Sequence, residues 1–220
     1  MKLQAVLFDF DGTLVNTERV HFGSIRTIME PYLKEKLSDE EMNSMIGYLY
    51  IDRIRRMLAL RSIDDEAAVV KLEKEARDVM RAKEKPEDLI QPGAKDFISQ
   101  LHTQGITLAV VTSTSTERAL RFFEPLGLSS YFTTIIGCGE VRHRKPDPEP
   151  YAMALEQLDL DPQRCIVFED SAAGIDSARG AGIDHVIGVD ANTLFSELPG
   201  TVQIIKDFTS ITIEDLESLL

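Results

Sequence analysis

Apolar residues along the chain gather in short runs that stop abruptly at polar or small residues. The clearest are AVLFDFD (5–11), ITLAVVTS (106–113), RCIVFED (164–170) and HVIGVD (185–190), with a weaker FTTII at 132–136. Runs that are apolar almost throughout, rather than alternating, predict strands covered on both faces. Between them, residues 116–126, 149–158 and 171–181 carry helical patterns. Strands alternating with helices predict an α/β fold built on a parallel sheet flanked by helices. In such sheets ligands bind outside the carboxyl ends of the strands. The polar residues at those ends are Asp9 and Asp11, Thr112 and Ser113, then Glu169 and Asp170, and they are expected to converge on one rim.

Residues 17–87 break this rhythm. The segments 17–33, 38–60 and 64–84 are charged, contain Met and Leu, and read as helices with no strand among them. KEKPEDLIQPG (83–93), with two prolines and a glycine, reads as the return hinge. The expected organisation is a core of residues 1–16 and 88–220 with an all-helical insertion at 17–87, placed after the first strand as a lid. The tail TIEDLESLL (212–220) predicts a closing helix with Thr212 as its N-cap.

Composition narrows the function more than the fold. The 220 residues are 43% hydrophobic and 28% charged, ordinary for a soluble globular protein. A net charge of −13 argues against the broad basic face that nucleic acid requires. An acidic protein that handles an anion must therefore build a local positive site. No apolar stretch has bilayer-spanning length, and MKLQAVLFDFDG lacks the pattern of a signal peptide, so a cytoplasmic location is expected. Cys138 and Cys165 stand apart from any CxxC or Cys/His cluster, which leaves no zinc site or disulfide framework to propose.

Four stretches carry candidate chemistry. In DFDGT, two carboxylates one residue apart would repel unless a cation relieved them, and oxygen-only ligands suit Mg²⁺. An Asp-Gly turn capping the next helix explains the same residues equally well. An EF-hand is excluded, because Gly12 falls too early in the loop and Val20 stands where the closing glutamate belongs. In VVTSTS (110–115), a strand running into hydroxyl residues before a helix offers donors to an anion, although such residues also cap helices everywhere. In HRKPDPEPY (143–151), three prolines stiffen the chain around Lys145, which can then present a fixed charge, or can simply be solvated. In VFEDSAAG (167–174), Glu169 and Asp170 close a strand just before a helix N-terminus. These two alternate in direction, so only one is expected to ligate a metal directly.

In this order and at four strand ends, the motifs resemble those of the haloacid dehalogenase superfamily: DxDGT, a hydrophobic run ending in Ser/Thr, a loop lysine, and a strand ending in ED. The resemblance spans residues 9–170 and includes the insertion in the position of a small α-helical cap. It is nearest to the phosphatase and β-phosphoglucomutase-like branch, which shares KPDP and EDSxxG. It implies a Rossmann-like core and a hydrolase that passes through an aspartyl-phosphate. Carried over by position, Asp9 is the nucleophile and Asp11 the acid and base. Ser113 and Lys145 hold the transferring phosphoryl group, with Thr112, Thr114 and His21 of the insertion also placed at the substrate. Mg²⁺ is held by Asp9, Asp11 through its carbonyl, and Asp170, with Glu169 nearby.

The presence of Asp11 argues against carbon–halogen hydrolysis, which has no leaving alkoxide to protonate. The resemblance therefore implies a Mg²⁺-dependent phosphatase of a small phosphorylated metabolite, a sugar phosphate in particular; a monomer is expected, and charge and hydropathy predict no nucleic acid or membrane partner. A phosphomutase is the alternative. Mutases of this type place an arginine just after a cap glycine, but after Gly47 this chain reads YLYIDRIRR. A non-catalytic binding protein on the same scaffold would be expected to have lost part of the charged set, all of which is present.

Overall fold

The computed structural model describes every residue except Met1, Ile46, Gly47, Leu49, Glu84 and 191–197, and leaves aside the side chains of Glu18 and Arg19. The Gly47 of the mutase comparison thus lies outside the described residues. In chain order the elements are β1 (Ala5–Phe8), α1 (Glu18–Leu33), α2 (Asp39–Asn43), α3 (Tyr50–Ala59), α4 (Glu66–Lys83), α5 (Pro86–Leu89) and α6 (Ala94–Thr103). There follow β2 (Thr107–Val111), α7 (Thr116–Phe123), β3 (Thr134–Ile136), α8 (Glu149–Leu158), β4 (Cys165–Glu169), α9 (Ala172–Gly180), β5 (His185–Val189), β6 (Gln203–Ile205) and α10 (Ile213–Ser218). The chain divides into two compact units, one of Met1–Asn16 with Pro86–Leu220 and one of Thr17–Lys85.

The first unit is built on a six-stranded parallel sheet of order β3-β2-β1-β4-β5-β6. It is the Rossmann-like α/β arrangement that the strand–helix alternation predicts. β1 lies at its centre, with Phe8 paired to Val110 on one side and Phe168 on the other. Side chains alternate between the two faces of a strand, and both faces are apolar here. Ala5, Leu7, Ala109, Val111, Cys165 and Val167 pack against Tyr151, Ala154, Ile175 and Ala178 from α8 and α9. On the other face Phe8 and Phe168 stack at 5.3 Å, and Phe97 of α6 and Phe208 close around them. Burying both faces removes several large side chains from water, each contributing roughly 1.5–3 kcal/mol before entropy is set against it.

The edges of the elements differ from the sequence reading. β1 ends at Phe8, not Asp11, because the chain turns: the Gly12 N–H donates to the Val15 carbonyl, and Leu14 and Val15 both donate to the Phe10 carbonyl. β6 has no counterpart in that reading, being three residues long at the sheet edge. The segment 38–60 holds two helices, α2 and α3, rather than one. The tail is as expected, with Thr212 and Asp215 forming a reciprocal capping box.

The second unit is entirely helical in its described residues. Its own core joins Ile25 and Met29 of α1, Ile54 and Met57 of α3, and Leu72 and Ala76 of α4. Where the first unit leaves for this insertion and takes the chain back, the connections run side by side. Asn16 N–H donates to the Leu89 carbonyl, Gln91 N–H donates to the Leu14 carbonyl, and Val15 bridges Ile90.

Candidate active site

The central strands deliver their polar ends to the same side of the sheet because they run parallel and in register. Asp9 follows β1 directly and continues its ladder, its N–H donating to the Phe168 carbonyl at 2.9 Å. Glu169 ends β4, and Asp170 follows it. Lys145 arrives from the loop before α8, and its Nζ is 2.7 Å from Asp9 Oδ1, 2.6 Å from Glu169 Oε1 and 2.8 Å from the Val111 carbonyl. A fourth acceptor, the Tyr151 hydroxyl, lies 3.4 Å from Nζ, so the three N–H donors of the ammonium are well supplied within the protein. The Tyr151 hydroxyl, 3.1 Å from Glu169 Oε1, lies beside the pair.

Glu169 is fully buried, and both its oxygens are in use. Oε1 accepts from Lys145 and Tyr151, while Oε2 accepts from Asp170 N–H, Ser171 N–H and Ser171 Oγ. One carboxylate thereby fixes the lysine and the turn into α9 together. Gly174 makes this possible, since a Cβ there would fall 1.7 Å from Glu169 Oε1.

Electrostatics in this cluster are unbalanced. Burial, against the pull of Lys145 and with the push of Glu169, raises the Asp9 carboxyl to about 8. Burial, with Asp9 and Glu169 close by, raises Asp170 well above the usual carboxylate range. Burial alone would lower Lys145, but Asp9 and Glu169 hold its ammonium well above the ordinary value. Three acidic residues thus compete for one lysine, and a further cation would relieve them.

The donor set fits a hard divalent cation. Asp9, Glu169 and Asp170 each offer a carboxylate oxygen, all within 4.8 Å of one another. Oxygen-only ligands suit Mg²⁺. Gly12 brings the main chain against them, with φ of 92°, and a Cβ there would lie 1.9 Å from Asp170 Oδ2. Since Glu169 is saturated by protein donors, Asp9 and Asp170 are the carboxylates best able to hold the ion.

Asp11 lies close enough to Asp9 and Asp170 for its charge to help raise both carboxyls. The turn after β1 gives it a separate partner, Arg118 of α7, whose Nη1 is 2.9 and 2.7 Å from its two oxygens. Thr112 is buried, and its hydroxyl accepts from the Thr114 N–H at 3.1 Å. Thr114 Oγ1 lies 3.3 Å from Arg118 Nη1, and Ser113 is exposed at the strand end. His21 belongs to the helical unit, where its ring meets Tyr50 edge to face at 5.3 Å.

Arg118 and Tyr151 escape the sequence reading. Arg118 occupies the third position of α7, where an arginine resembles a solvated helix residue, although it follows the VVTSTS turn by only a few residues. Tyr151 sits on the apolar face of α8, six residues after Lys145.

A profile of the haloacid dehalogenase-like hydrolases matches residues 6–189. The chain belongs to this family. The resemblance drawn from the four strand ends is therefore borne out, and the match takes in every site residue from Asp9 to Asp170. The phosphorylated carbohydrates phosphatase of Thermotoga maritima is 32% identical to this family member over 190 residues, covering 85% of each chain. The pyrophosphatase PpaX of Halalkalibacterium halodurans is 26% identical over 93% of this chain and 98% of its own. Among solved structures, the HAD hydrolase, family IA, variant 3 of Entamoeba histolytica matches with a TM-score of 0.81, covering 99% of each chain at 27% identity. No described helix is long and apolar enough to cross a membrane.

Proposed function

We propose that this family member is a Mg²⁺-dependent phosphoric monoester hydrolase acting on a small phosphorylated metabolite, a sugar phosphate in particular. The observation that carries the reading is the buried lysine bridging Asp9 and Glu169 beside Asp170. It combines an oriented carboxylate, a fixed positive charge and a charge balance that leaves room for a metal ion. Similarity to a phosphatase named for phosphorylated carbohydrates supports the substrate class.

In this reading an oxygen of Asp9 donates its lone pair to phosphorus, and the bond to the substrate's bridging oxygen breaks with its electron pair leaving on that oxygen. Asp11 supplies the proton that oxygen takes up. A water then attacks the aspartyl-phosphate, giving a proton back to Asp11 and releasing inorganic phosphate with Asp9 restored. Lys145 keeps Asp9 aimed and offers its positive charge to the transferring phosphoryl group. The exposed Ser113 hydroxyl donates to the phosphoryl oxygens. Mg²⁺ held by Asp9, Asp170 and the Asp11 carbonyl supplies positive charge to those oxygens when bound. The helical unit, with His21, serves as the substrate-selecting cap.

The test is phosphate release from a panel of sugar phosphates, other phosphomonoesters and pyrophosphate, with Mg²⁺ or EDTA, for the wild type and Asp9→Asn. Mg²⁺-dependent release that Asp9→Asn abolishes is the expected result, and turnover retained in the variant removes the nucleophile assignment. An added arm with β-glucose 1-phosphate and a trace of glucose 1,6-bisphosphate checks for a mutase. Rapid formation of glucose 6-phosphate without free phosphate would replace the hydrolase reading.

A further inference from the structure

Four carboxylates, Asp9, Asp11, Glu169 and Asp170, meet two cations, and the cations divide their work. Lys145 contacts Asp9 and Glu169, whereas Arg118 contacts Asp11. Asp11 is not held by a strand. It lies on the turn after β1, its side chain 32% exposed, so its carboxylate depends on its partner for a fixed place. Arg118 is suited to give one. Its guanidinium carbon lies 5.3 Å from the centre of the Phe10 ring, and Nη1 reaches both Asp11 oxygens. Phe10 is itself fully buried and wedged edge to face against Phe122 and Phe123. Both phenylalanines lie on α7, as does Arg118. A single helix thus supplies the cation and the wall on which it rests.

We propose that Arg118 is a positioning residue that holds the Asp11 carboxyl where it can pass a proton to the leaving oxygen. The assignment rests on the hydrolase reading above. The step it serves is balanced: as the Asp9 oxygen bonds to phosphorus, the bridging oxygen takes the electron pair of the broken P–O bond and a proton from Asp11. A leaving group that is stable as an anion has little need of that proton, while an alkoxide needs it badly. Displacing Asp11 must therefore penalise alkyl phosphates far more than activated aryl phosphates. A purely structural ion pair predicts equal losses for both.

The experiment measures kcat/KM, which reports phosphoryl transfer, for an aryl phosphate series ending in p-nitrophenyl phosphate and for alkyl phosphates. It compares wild type, Arg118→Ala, Arg118→Lys and Asp11→Asn with Arg118 intact or replaced, all checked for folding by melting. General acids contribute about 10²–10⁴-fold, so a partial loss of about 10–100-fold is expected for alkyl phosphates in Arg118→Ala, with less than about 3-fold for p-nitrophenyl phosphate. Arg118→Lys should recover part of the loss, and Arg118→Ala should add no further leaving-group dependence to Asp11→Asn. Should the alanine variant not fold, the lysine variant and Arg118→Gln carry the same comparison. Equal losses across all leaving groups, or a rise in KM alone for substrates bearing a second anionic group, overturn the assignment while leaving the hydrolase standing. A wild type that cleaves none of the series overturns the hydrolase reading as well.

Discussion

Glu169 Oε1 lies 2.6 Å from Lys145 Nζ, and both side chains are almost wholly removed from solvent. The pair is stabilising only while intact, since removing one member strands the other charge in a medium that solvates it poorly.

Replacing Glu169 with Gln keeps the shape but gives an amide nitrogen where an acceptor is required. Either Lys145 and Tyr151 or the Asp170 and Ser171 donors then lose their partner. We expect the variant to fold with stability lowered by about 3 kcal/mol and to lose most of its turnover. Chemical denaturation and steady-state kinetics check both. Unchanged turnover would show that Lys145 does not need Glu169.

Gly174→Ala should disrupt the same carboxylate from the opposite side. The new methyl would lie 1.7 Å from Glu169 Oε1, so the end of β4 or the start of α9 must move. A loss above about 2 kcal/mol is expected, at the upper end of ordinary point mutations. Full stability and activity would show that α9 can shift freely.

Proton linkage at the acidic pocket gives a third prediction. A carboxyl raised in the folded state destabilises the metal-free protein as pH climbs from the unfolded value near ~4 toward the folded one, about 8 for Asp9. On the Mg²⁺-dependent reading proposed above, the ion would bind the ionised form and displace those protons. Its stabilising shift in melting temperature should therefore be larger at pH 8 than at pH 6. Asp170→Asn, neutral at the same position, should melt higher than wild type without Mg²⁺ at pH 8 and show no Mg²⁺ response. An equal shift at both pH values would count against the linkage.

The C-terminal capping box supplies a test away from the site. Hydrogen bonds from Thr212 hold the Asp215 carboxyl below the usual range. A depressed folded value adds stability above the unfolded value, and that contribution is lost as pH falls through the folded one. Thr212→Ala should destabilise the protein by about 1 kcal/mol near neutral pH. Its difference from wild type should shrink on acidification, and thermal melts from pH 7 to pH 3 would show whether it does.

Much of this arrangement was legible because strand ends in a parallel sheet announce themselves. Asp9, Lys145, Glu169 and Asp170 could be picked out as polar residues at apolar boundaries or in a stiffened loop. Their meeting follows from the register of β1 with β2 and β4. Arg118 could not be found in that way, because its significance lies in a contact with Asp11 across 107 residues. Tyr151 was hidden for the opposite reason, since a buried tyrosine on an apolar helix face reads as packing. The end of β1 at Phe8 is set by a turn whose hydrogen bonds, from Gly12, Leu14 and Val15, strand alternation does not reveal. β6 escaped because three residues carry too little pattern to distinguish an edge strand from a loop.

The central place of β1 bears on how the chain acquires its shape during synthesis. Ala5–Phe8 leaves the ribosome well before either strand that will flank it, and its second neighbour, Cys165–Phe168, emerges some 160 residues later. At about 5–20 residues per second that interval is on the order of ten seconds. Throughout it, a fully apolar strand has an open edge. The helical unit closes its own core from residues 25–80 and can mature in the meantime. The nascent protein is thus most exposed to aggregation through its earliest strand, and chaperone demand should fall sharply once β4 has emerged.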